Sequence, residues 1–205
     1  MTEISSDKKF EALHEHDNDT FTNIKESNKF RDKLMLLVIL MLALVVLFTF
    51  WPADAVTTLS QITAGQFGVA ISLDVSFLGS VIWFALLIAI VRYTQVVIYI
   101  ERQYAYIHRL EEQLRNYYNN DEITFTREGK SYLQKYPTFS NWICFLYTSI
   151  FPISLLVIVS IKIVSEWVDV AQTNLLILLL NTVVAVCILV SLVLYMLFMH
   201  KQNTD

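Results

Sequence analysis

Few side chains in this 205-residue chain are of a type and spacing that could do chemistry. His14 and His16, followed by Asp17 and Asp19, combine imidazole and carboxylate groups of the kind that ligate metal ions. They sit in a polar, charged N-terminal stretch, where we read them as solvated tail sequence, and no metal site is expected. Cys144 and Cys187 lie far apart inside apolar blocks. They lack paired spacing for a metal or redox centre and are expected to pack as small hydrophobes. No glycine-rich phosphate loop, nucleophile elbow or catalytic constellation is present, so neither a catalytic site nor a bound cofactor is expected.

The remaining candidates are polar groups set in apolar surroundings. Asn181 is the one strong amide inside an apolar block, and such a group seeks an interhelical hydrogen bond worth roughly 0.6 to 2 kcal/mol. Arg92 stands at the edge of another block. Lys162 and Glu166 are four residues apart, one turn on the same helix face, which allows a weak pair while the lysine stem reaches toward the surface. Arg109, Arg115, Arg127 and Lys130 form a possible basic patch for an anionic ligand or lipid headgroups.

Composition says what must hold these groups. Hydrophobic residues make up 55% of the chain and charged ones only 17%, against about 25% charged in a soluble domain. The apolar residues fall into four long blocks, the pattern of membrane spans rather than of one large core. A helix rises 1.5 Å per residue, so crossing about 30 Å of hydrocarbon takes about 20 residues. We place spans at 34–51, 75–91, 141–167 and 175–199. Trp51, Trp142 and Trp167 suit interfacial positions. Pro52 should stop the first span and Pro152 should kink the third. Residues 1–33 are expected to be a tail, mobile over its first part and faintly helical around Phe21 and Ile24. The apolar block that follows comes too late for a cleaved signal peptide. Residues 52–74 and 168–174 are expected to be outer loops, and 200–205 a short tail.

Lysine and arginine cluster before the first span, between the second and third, and after the fourth, while 52–74 and 168–174 have none. Positive charge marks the cytoplasmic side, so both termini are expected inside. The overall net charge of −4 gives no electrostatic reason to expect nucleic acid. No acid or histidine lies near the middle of a span, which argues against proton- or sodium-coupled transport, because an ionisable group there costs at least ~2.5 kcal/mol and is kept for function.

The second span does not stop at Arg92. Tyr93, Val96, Ile100, Gln103, Ile107, Leu110, Leu114 and Tyr117 continue in steps of three and four, a heptad seam on a helical extension. With 126–137 as a returning helix, 92–140 reads as a cytoplasmic helical hairpin. The expected architecture is an all-α integral membrane protein of the cell inner membrane, with four transmembrane helices and this hairpin between helices 2 and 3. The expected role is non-catalytic association with itself or another protein through the coiled-coil-like seam, as an accessory, regulatory or immunity-type membrane subunit. The alternative is an oligomeric channel-forming or membrane-perturbing effector, with Asn181, Ser191 and Arg92 as candidate lining.

Overall fold

The computed structural model describes residues 6–67, 75–117, 142–143, 145–168 and 174–202. The described residues are almost wholly helical, with no strand among them. Helix α1 covers Ser6–Phe50, α2 Pro52–Phe67, α3 Val75–Tyr117, α4 Phe151–Val168 and α5 Leu175–Gln202; a single π-helical turn, Leu146–Ile150, leads into α4. Four of the helices are long and apolar enough to cross a membrane. At 45 and 43 residues, α1 and α3 are each about 65 Å long, roughly twice a hydrocarbon layer.

Two expectations change. Residues 6–19, expected to be mobile, are helical, and together with 20–33, where faint helicity was expected, they form the first half of α1. The reason is an inward stripe at Phe10, Leu13, Asp17, Thr20, Ile24, Ser27 and Arg31, half-buried or buried throughout, which continues in step through Leu34, Val38, Met41 and Val45. Residues 52–67 are likewise helical rather than a loop. Pro52 interrupts the helix for only one residue: the Trp51 amide donates to the Leu47 carbonyl at 2.9 Å, and the Ala55 amide to the Trp51 carbonyl at 3.0 Å. Proline has no amide hydrogen to lose at the first position of a helix, so it starts α2 as readily as it stops α1. Asp54 in the first turn of α2 favours that start electrostatically.

Pro152 acts through its neighbours. A proline inside a helix leaves a carbonyl without its donor and crowds that oxygen. Here the preceding turn is widened, with the Phe151 amide donating to the Leu146 carbonyl in π-helical register. Pro152 itself is buried.

The chain divides into two compact units. One comprises Met1–Lys33 with Gln95–Cys144, the other Leu34–Thr94 with Phe145–Asp205. In the second unit, buried residues on α5 recur at Leu178, Asn181, Ala185, Ile188, Leu192, Tyr195 and Met199, in alternating steps of three and four. Trp83, Leu86, Ile90 and Tyr93 do the same on α3. The Tyr93 ring meets Phe151 edge-on at 5.7 Å and Tyr195 at 6.3 Å. The opposite faces are also hydrocarbon, with Ile88 59% and Leu194 61% exposed. Helices apolar on every side are built for an apolar solvent. Cys187 is one of these exposed residues rather than a packed one, because it falls outside the heptad step of α5; Cys144 lies outside the described residues.

Candidate functional site

In the apolar unit, four polar side chains from three helices converge. Lys162 and Glu166 on α4 form the expected pair, Nζ to Oε1 at 3.1 Å, with side chains only 14% and 13% exposed. The same Oε1 accepts from Trp83 Nε1 on α3 at 3.3 Å, and Oε2 accepts from Asn181 Nδ2 on α5 at 3.0 Å. Glu166 is therefore the hub of a buried network. Trp83 is fully buried and Asn181 is 3% exposed. Asn181 Oδ1 is buried with no hydrogen-bond partner among the described residues. Beside it lies a partly open cavity of about 170 Å³, whose polar lining is Thr49, Ser76, Lys162, Ser165, Glu166 and Asn181.

The sequence pointed to Lys162, Glu166 and Asn181 but not to Trp83, and not to their union. Asn181 finds the interhelical bond expected of a lone amide, and its partner is Glu166. The Lys162–Glu166 pair reads from sequence as a surface i,i+4 contact; in the structure its surface is covered by α3 and α5. Helix spacing can place two residues on one face, but cannot say what that face meets. The channel-lining candidates do not come together: Asn181 is buried in the network, Ser191 donates to the Cys187 carbonyl on α5 at 2.7 Å, and Arg92 is exposed on α3.

From Gln95 on, α3 belongs to the other unit, and most of the seam residues on α3 are buried. Tyr93, Ile100, Ile107, Leu110 and Leu114 are buried, Val96 and Gln103 only half-buried, and the side chain of Tyr117 lies outside the described set. Val97 and Glu111 are buried beside them, and Tyr104 is half-buried. The N-terminal half of α1 belongs to the same unit. His16 meets the Tyr106 ring edge-on at 5.9 Å, and Arg31 acts electrostatically on Glu101. Rising number on α1 matches falling number on α3, so the two segments run antiparallel. The segment 126–137, expected to be a returning helix, lies outside the described residues, as do Arg127, Lys130 and the side chain of Arg115.

Arg109 is exposed, with its Nε donating to the Ala105 carbonyl at 3.2 Å. It is one of a series facing away from the buried seam: Arg92, Gln95, Tyr99, Arg102, Tyr106, Arg109 and Gln113, all exposed and once more at heptad spacing. The α1 half carries an opposite stripe, with Glu11, Glu15, Asp19 and Glu26 exposed on one side of the helix. His14 stacks on Phe10 and His16 turns to Tyr106. Two residues apart on a helix, they point to nearly opposite sides, and among the described residues no group of acids, histidines and cysteines could hold a metal ion. No protein-family model, curated protein or solved structure matches the chain.

Proposed function

We propose that this is a multi-pass inner-membrane protein with both termini in the cytoplasm, acting non-catalytically by association, and first of all with copies of itself. The observation that carries this is the pair of complementary stripes on one unit: Tyr99, Arg102, Tyr106 and Arg109 on α3, and Glu11, Glu15, Asp19 and Glu26 on α1. The seam of α3 is occupied within the chain, which leaves the opposite face for a partner. The His16–Tyr106 contact sets the acidic and basic stripes at a similar height along the antiparallel pair. Copies in one membrane are related by rotation about its normal, so equal heights face each other across an interface. The acidic stripe of one copy then meets the arginines and tyrosines of the next. Carboxylates at i,i+4 repel one another by a few tenths of a kcal/mol in an isolated helix, and arginines from a neighbour relieve this. Tyrosine and arginine are also the side chains most often found at the centres of interfaces.

The native mass in mild detergent tests the proposal. An oligomer is expected at low salt, weakening as salt rises from about 0.05 to about 0.5 M because exposed charges are screened. Replacing Arg102 and Arg109 together by Glu should weaken assembly roughly tenfold or more, at up to about 1 kcal/mol per exposed pair plus new repulsion. Adding Glu15→Arg and Asp19→Arg should restore it. A wild-type monomer at low salt, or assembly indifferent to both sets of changes, would sink the proposal.

A further inference from the structure

The cavity beside Asn181 is not used by the association just described. Its polar lining brings three different residues into one small space: Lys162 with a cation, Glu166 with a carboxylate, and Asn181, whose buried Oδ1 has no hydrogen-bond partner among the described residues. A buried amide oxygen without a donor is costly, and an occupant that supplies an N–H or O–H relieves that cost. At about 30 Å³ per water, 170 Å³ holds the volume of five or six waters, enough for a short polar arm.

A second feature shows what continues from that arm. Immediately alongside, between α3 and α5, runs an apolar groove of about 500 Å³ walled by Phe77, Val81, Phe84, Ile88, Ile177 and Leu180. Ile177 lines both spaces, and the α3 residues alternate between them: Ser76 and Gly79 face the polar cavity, Phe77 and Ser80 the groove. The polar space lies at the end of the bundle where α1 stops, α3 begins, α4 stops and α5 begins. A polar pocket at the helix ends that shares a wall with a hydrocarbon groove along the helices has the outline of one lipid.

We infer that this end of the bundle binds a phospholipid whose headgroup carries a primary ammonium, an ethanolamine-type lipid. The ammonium donates to Asn181 Oδ1 and lies beside the Glu166 carboxylate. The phosphate takes Lys162, and an acyl chain lies in the α3–α5 groove. The inference rests on the chain being embedded in a bilayer, but not on its self-association.

Purified protein in nanodiscs of mixed lipid, followed by native mass spectrometry, reads which lipids stay bound. Phosphatidylethanolamine should be retained at least tenfold over phosphatidylcholine of the same chains, since the quaternary choline nitrogen has no hydrogen to donate. The mono- and dimethylated headgroups should fall in order between them. Asn181→Leu should erase the preference. Gly79→Leu provides a blocker that removes no polar group: a Cβ at Gly79 meets nothing within 4 Å, so the added side chain has room to fill the cavity. It should abolish retention of the ethanolamine lipid in a protein that still folds. Soluble phosphoethanolamine tests the headgroup alone; competition by it without any chain-length dependence would locate the binding outside the groove and overturn the lipid assignment. Equal retention of all four headgroups by the wild type, or a preference that survives both substitutions, would also overturn it.

Discussion

Glu166 shows how one carboxylate can organise three helices. Its two oxygens take hydrogen bonds from Trp83 and Asn181 and an ion pair from Lys162, with both charged side chains largely withdrawn from solvent. In such surroundings the pair as a whole stabilises little, because desolvating two charges offsets most of their attraction, but breaking it is expensive. Lys162→Met strands the carboxylate and should cost about 3 kcal/mol or more, read as a fall in thermal unfolding temperature in detergent. Lys162→Met combined with Glu166→Gln leaves no net charge and keeps an acceptor for Trp83, so most of the loss should return. If the single and double variants melt alike, the network is not organised around that charge. Asn181 is the member whose partner the sequence could not supply, since a lone amide in an apolar run says only that it needs one.

At the scale of elements, the pairing of α1 with α3 depends on burying a face that is not wholly apolar. Glu101 sits on the α3 extension, ten residues beyond the apolar run ending at Val91. Burial pushes its carboxyl above the usual carboxylate range, and the nearby Arg31 guanidinium pulls only partly the other way. The fold thus holds the Glu101 proton more tightly than the unfolded chain does. Its contribution to stability is fully present below the ordinary carboxylate value and is lost as pH rises through the raised one. Glu101→Gln keeps the buried state without a charge to form. The melting temperature of the variant relative to wild type should therefore climb between about pH 4 and about pH 7. A difference that stays flat over that interval would show that Glu101 is not withdrawn from solvent in this pairing. Pro52 and Pro152 belong to the same scale: one begins a helix after a single-residue break, and the other is accommodated by a widened turn before it.

For the whole molecule, the proposed topology makes a plain demand. Single cysteines introduced at Lys9 and at Lys201, in a background with Cys144 and Cys187 replaced, should be shielded from a membrane-impermeant thiol reagent in intact cells and labelled after lysis. A cysteine at Thr57, an exposed position of α2, should be labelled from outside. Labelling of position 9 and position 57 from the same side would overturn the orientation drawn from lysine and arginine placement.

The sequence alone determined the four apolar helices, because a run of about 20 hydrocarbon side chains has one economical arrangement wherever it is placed. It also determined that the second of them runs on, since nothing in Tyr93–Leu114 interrupts a helix and apolar residues return at every turn. It gave only a faint helical pattern within 6–33, all of which is helical. The inward stripe there includes Asp17, Thr20, Ser27 and Arg31, and a half-polar stripe has meaning only once α3 stands against it. Nor did spacing show that the buried face of the extension is wide enough to take in Val97 and Glu111 beside Leu110. The convergence of Lys162, Glu166, Trp83 and Asn181 was likewise left to tertiary structure. Local spacing fixes the face of a helix on which a side chain lies; the packing of α3, α4 and α5 decides which faces meet.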